Sequence, residues 1–205
     1  MTGHGAGVGN DAAADARAMA QFAEHRVLEL PDLFAPDAQA VLAQSLAGST
    51  FVPDDIHVPG SRLREAPPRT GPLLCWLLGR PELRRWVETI TATAPLAAVG
   101  GATARFEAGG GQHLDWHNDL VPGHTRMLAV TVNLGSEPYE GGRFEMKRRG
   151  ADAPFFAHAH VQPFAALIFA IDKTLMHRVT PVTAGGPRTV FGGWFLSEPV
   201  ARPPV

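Results

Sequence analysis

From about residue 98 onward the chain is a succession of short strand-forming runs separated by turns rich in glycine and proline. Residues 127–134 are apolar and β-branched and read as a strand. Residues 143–146 read as another, and 188–196 as a further one that carries Gly192 and Gly193. Residues 165–170 are continuously apolar, so the strand they form is expected to be buried on both faces. Strands this short and closely spaced are expected to close into a barrel or stack as a double-sheet jelly roll.

The first half of the chain has a different texture. Residues 1–16 are rich in Gly, Ala and Asp without an apolar period and are expected to be a disordered leader. Residues 27–30 look like a short strand, and Pro36 opens a helix through Ala40, Leu42 and Leu46. Residues 52–72 hold five prolines and several charges, which predicts a long surface loop. The stretch 73–91 reads as helical, restarted at Pro81. The expected architecture is α+β, mainly β: a double-stranded β-helix (jelly roll) with N-terminal helices packed on it. It forms one domain over 17–205, with helical support at about 17–97 and a catalytic β core at about 98–200.

Composition narrows the function classes. A net charge of −2 over 205 residues gives no electrostatic case for nucleic acid or an anionic membrane as partner. Cys75 is the single cysteine, so neither an internal disulfide nor a thiolate-rich metal site is available. No apolar run approaches the ~20 residues that span a bilayer. The N-terminal stretch lacks the basic and apolar regions of a secretion signal, and the cytoplasm is the expected compartment.

Candidate metal ligands cluster in the β half. His117 and Asp119 are two residues apart, which on an extended strand directs both side chains to one face. His177 follows 60 residues later, just past the apolar run. Two imidazoles and one carboxylate, with open positions opposite, form the donor set of non-haem iron(II) oxygenases. His113 and Asp115 make a second pair of the same spacing. His158 and His160 precede the return strand and are expected in a surface strand or loop, and His124 in a solvated turn.

The surroundings of these residues are more specific than the pair itself. They run from Phe106-Glu107-Ala108-Gly109 through His117, Asp119 and Arg126 to Gly141-Gly142-Arg143-Phe144, then Pro163, Phe169, His177, Pro181-Val182, Arg188 and Trp194. In order and spacing this stretch resembles the iron(II)- and 2-oxoglutarate-dependent oxygenases, specifically the prolyl 4-hydroxylase-like branch. The resemblance implies that His117, Asp119 and His177 bind iron(II), and that they are preferred over His113 and Asp115. It implies that Arg188 pairs with the distal carboxylate of 2-oxoglutarate, which suits a planar, permanently charged fork. It further implies a dioxygenase that uses O2, supported by ascorbate, to hydroxylate a C–H bond with release of succinate and CO2.

The chain also departs from that pattern. Phe106 and Asn133 stand where members of the family often have tyrosines. Phe106 has no donor, whereas the Asn133 amide, or the hydroxyl of Thr131 on the same strand face, is expected to contact the co-substrate. Trp194, Arg126, His113 and Asp115 are candidates for touching substrate, which is either a small molecule or a peptide side chain. A cupin-like metal-binding jelly roll without 2-oxoglutarate chemistry is the alternative, and it gives Arg188 no task.

Overall fold

The computed structural model describes residues 11–120 and 125–199. Helix α1 (Ala12–His25) begins where Asp11 accepts hydrogen bonds from the N–H groups of Ala13 and Ala14. The expected leader is therefore too long at its C-terminal side. A capped run rich in alanine propagates helix without needing an apolar period. Residues 1–10, and His124, lie outside the described residues.

The remaining elements of the first half are β1 (Val27–Leu30), α2 (Pro36–Ala47), β2 (Phe51–Pro53), β3 (Gly60–Ser61), β4 (Leu63–Glu65), α3 (Thr70–Leu78) and α4 (Pro81–Thr91). Proline occupies the first turn of both α2 and α4, where its missing N–H costs nothing. The β half contains β5 (Ala98–Phe106), β6 (His113–His117), β7 (Arg126–Asn133), β8 (Tyr139–Gly141) and β9 (Phe144–Arg148). It continues with β10 (Phe156–His158), β11 (Ala166–Ala170), β12 (Leu175–Val179), β13 (Val182–Gly185) and β14 (Arg188–Leu196).

These strands form a jelly roll. A seven-stranded sheet has the order β1-β11-β7-β14-β5-β4-β2, a five-stranded sheet the order β10-β9-β12-β6-β3, and β13 pairs with β8. The helices cover the outer face of the larger sheet, α3 lying on β5 and β14, and α1 on β1 and α4. Along β14 the pleat sorts side chains by layer. Phe191 and Phe195, fully buried, join Leu74, Leu78 and Val87 in the core beneath the helices. Arg188, Val190 and Trp194 face the space between the sheets. Gly193 is required here, since a Cβ would sit 2.7 Å from the Phe191 ring.

The long loop expected at 52–72 is a correction. β2 and β4 pair with each other, and β4 extends the large sheet at β5. β3 pairs with β6 in the small sheet, so residues 51–65 strap both sheets together along one edge. The buried Glu65 anchors the strap. Its carboxylate accepts from the N–H groups of Arg69, Thr70 and Gly71 at the start of α3 and from the Ser49 hydroxyl. Burial alone raises the pKa of Glu65, but these hydrogen bonds outweigh it and hold the group below the ordinary carboxylate value.

Candidate active site

Strand register assembles the candidate metal ligands. His177 on β12 and His117 on β6 are direct cross-strand partners, and their ring centroids lie 4.2 Å apart. Asp119 comes two residues after β6 and places its carboxylate 3.9 Å from His117 Nε2 and 3.5 Å from His177 Nε2. One donor atom of each residue lies within 4.8 Å of the others. His117, Asp119 and His177 are only 8–9% exposed. The His117 Nδ1 lies 2.6 Å from the Asp115 carbonyl, a contact that places its proton on Nδ1 and leaves the Nε2 lone pair for a metal. Burial, helped by His117 and opposed by Asp119, lowers the pKa of His177 to about 4. The ring is therefore neutral near pH 7, as a ligand must be. Two imidazoles and one carboxylate, converging without a thiol, fit a divalent iron ion.

A cavity of about 440 Å³ runs from these ligands between the sheets to Arg188. Arg188 is 2% exposed, and its Nε has no hydrogen-bond partner. Its guanidinium carbon lies 5.2 Å from the centre of the Phe106 ring. Burial lowers its pKa, with the neighbouring Tyr139 hydroxyl acting in the opposite direction, yet a guanidinium stays protonated at neutral pH. Among the described residues no carboxylate pairs with it. An isolated buried cation with an unused N–H is poised to receive an anion.

Residues 102–196 match the sequence model of the 2OG-Fe(II) oxygenase superfamily. The chain carries a 2OG-Fe(II) oxygenase domain. No curated protein sequence matches it, but solved structures share its fold. A Burkholderia pseudomallei oxidoreductase of the 2OG-Fe(II) oxygenase family superposes with a TM-score of 0.66 at 16% identity, covering 95% of this chain and 96% of that one. A Pseudomonas putida prolyl-4-hydroxylase gives 0.65 at 16% identity, over 90% of this chain and all (100%) of the other. A prolyl hydroxylase from Trichoplax adhaerens, solved with a peptide fragment of the hypoxia inducible factor oxygen degradation domain, gives 0.60 at 11% identity over 90% and 89%. The activity is that of an Fe(II)- and 2-oxoglutarate-dependent dioxygenase, with iron(II), 2-oxoglutarate and O2 as its cofactors.

The oxygenase places its other sequence-selected residues unevenly. Thr131 is buried and lines the cavity, as does Trp194. Arg126 lies across the Trp194 ring, 3.6 Å from its centre, and donates to the Asp119 carbonyl at 3.1 Å. It thus braces a ligand-bearing segment as well as lining the cavity. Asn133 does not reach the cavity. Its amide donates to the carbonyls of Gln162 and Gly135 and accepts from the Gly135 N–H, which uses both ends of the group to hold a chain corner.

His113 and Asp115 lie outside the cavity lining. His177 pairs with His117 and Val179 with Leu114, so three steps on β6 oppose two on β12. This bulge keeps Leu114 and His117 both facing the cavity and turns His113 away from it. The His113 and Asp115 side chains, 36% and 61% exposed, meet each other at 3.7 Å outside the cavity.

Three features of the oxygenase were not expected from the sequence. His160, assigned to the surface, is fully buried; burial, followed by the charges of Arg188 and His158, holds its pKa well below the ordinary value. Tyr139, the chain's single tyrosine, lies behind Arg188 and donates its hydroxyl to the His160 carbonyl at 2.6 Å. The strap brings Ile56, Val58 and Arg62 to the cavity lining, where Arg62 is held to Asp54 at 2.7 Å. The scarcity of tyrosine was a usable signal for Tyr139; nothing in the local pattern marks the other two.

Proposed function

We propose that this oxygenase hydroxylates a C–H bond on a side chain of a peptide that enters the mouth of the cavity. The observation that carries the reading is one continuous cavity bearing His117, Asp119 and His177 at one place and Arg188, with no carboxylate partner among the described residues, at another. His117, Asp119 and His177 hold the iron. Arg188 binds the distal carboxylate of 2-oxoglutarate, and the Thr131 hydroxyl faces the same space. When bound, iron(II) with 2-oxoglutarate supplies the power to activate O2, and the co-substrate leaves as succinate and CO2. Phe106, Val179 and Val190 give the co-substrate region apolar walls that keep water out.

The entry side supports a side chain as the group oxidised. Ile56, Val58, Leu120 and the Trp194 ring offer apolar contact, while the Asn118 amide offers a donor to backbone carbonyls. Similar folds occur in proteins described as prolyl hydroxylases, one of them solved with a peptide fragment. The test is aerobic incubation with iron(II), ascorbate, 2-oxoglutarate and either a peptide mixture or free amino acids and small metabolites. Peptides gaining one oxygen atom in step with succinate, and not in His177→Ala, support the reading. Oxidation confined to the small molecules overturns the peptide assignment and leaves the oxygenase chemistry standing. Among the described residues no helix is long and apolar enough to cross a membrane.

A further inference from the structure

We infer that Tyr139 is the positioning residue for Arg188, and that its hydroxyl sets the oxygenase's preference for an oxoacid with a distal carboxylate. The inference rests on Arg188 being the co-substrate's carboxylate partner and is independent of which substrate is oxidised.

Arg188 enters the cavity from β14 with its side chain fully desolvated, so the direction of its fork has to be held by protein groups. Ion pairing does not do this, since no carboxylate faces it among the described residues. Phe106, on the neighbouring strand, offers only a ring face. Asn133 is spent on the corner at residues 133–135 and 162. Tyr139 lies beside the guanidinium, where its hydroxyl opposes the effect of burial on the arginine. Because the phenol donates its own proton to the His160 carbonyl, its oxygen is left as an acceptor directed at Arg188. Tyr139 is 8% exposed and does not line the cavity, so it acts on the co-substrate only through the arginine.

The backbone is shaped to permit this contact. Gly142, at φ 55°, would place a Cβ 2.9 Å from Arg188 Cδ and 3.0 Å from Tyr139 Cε2. The arginine stem and the phenol ring therefore flank one position where a side chain would press on both. Thr131 differs in kind, since it lines the cavity and would touch the co-substrate itself.

A hydrogen bond to a charged group, once lost, weakens binding roughly tenfold or somewhat more. The test uses manganese(II)-loaded protein and calorimetric titration with 2-oxoglutarate and with 2-oxobutanoate, which keeps the oxoacid head and lacks the distal carboxylate. In Tyr139→Phe, which preserves the ring, the Kd for 2-oxoglutarate should rise roughly tenfold while that for 2-oxobutanoate stays unchanged. In turnover the KM for 2-oxoglutarate should rise with kcat at saturation retained. Gly142→Ala, disturbing the same contact from the other side, should show the same selectivity. Equal weakening of both oxoacids would assign Tyr139 a general packing role, and no change in either would remove the hydroxyl from co-substrate binding; each overturns the inference. Loss of peptide hydroxylation with the oxoacid pattern intact would count against the proposed substrate alone.

Discussion

At one end of the cavity three donors from two strands and the segment after one of them converge, the two histidines paired by register and Asp119 on a segment braced by Arg126. At the other end a single cation stands on one strand, backed by an aromatic ring and a phenol. The metal end carries a carboxylate and two imidazoles, with burial keeping His177 neutral, which suits a divalent cation. The Arg188 end carries an uncompensated positive charge, which suits a carboxylate. A metal site assembled by convergence is expected to fail when one donor is lost, whereas a one-residue anion site is expected to weaken by degrees.

The largest effect should follow His177→Ala, which leaves two donors. Turnover of 2-oxoglutarate should fall below detection and stoichiometric iron binding should be lost, as measured by metal analysis after anaerobic loading. His113→Ala, by contrast, should keep its iron. Retention of full iron in His177→Ala would break the convergence argument. Arg188→Lys retains charge and loses the planar fork; the KM for 2-oxoglutarate should rise about 10- to 100-fold, with iron content unchanged. If iron is lost along with co-substrate affinity, the two ends are not separable.

Acid should reach the metal end first. The folded pKa of His177, about 4, lies below its ordinary value of 6.5. Between these values the unfolded chain binds a proton that the folded chain refuses, so metal-free protein should lose stability as pH falls from about 6.5 to about 4. The loss is on the order of 3 kcal/mol at most, and urea unfolding at pH 7 and pH 5 should show a smaller difference in His177→Gln. The smallest effect lies outside both ends. Glu65→Gln should cost about 1–3 kcal/mol through the α3 start and the strap, read as a lower melting temperature with iron stoichiometry preserved.

How much of this was legible depended on whether a residue's position was set locally or by distant pairing. Residues 127–134 and 165–170 announce themselves because one long apolar run has few ways to be buried. His117, Asp119 and His177 were legible through their spacing and the motif around them. The strap was not, because β2, β3 and β4 are two or three residues each and exist by pairing with β5 and β6. Nor could the one-residue bulge in β6 be seen, although it alone decides that His113 faces away from the cavity. Asn133 and Tyr139 show the same limit. Strand alternation put Asn133 on the right face, but the corner at residue 162 claimed its amide, while the hydroxyl beside Arg188 came from a three-residue strand elsewhere in the sequence.

On the proposed reading, one cavity binds iron(II) at His117, Asp119 and His177 and an oxoacid between that iron and Arg188. Anaerobic titration of the iron(II)-loaded protein with 2-oxoglutarate, followed by visible charge-transfer absorption, tests it most directly. The prediction is one iron per chain and a band that saturates with 2-oxoglutarate, is absent in His177→Ala, and in Arg188→Ala requires much more 2-oxoglutarate to appear. A co-substrate that binds equally well without iron, or with unchanged affinity in Arg188→Ala, would contradict it.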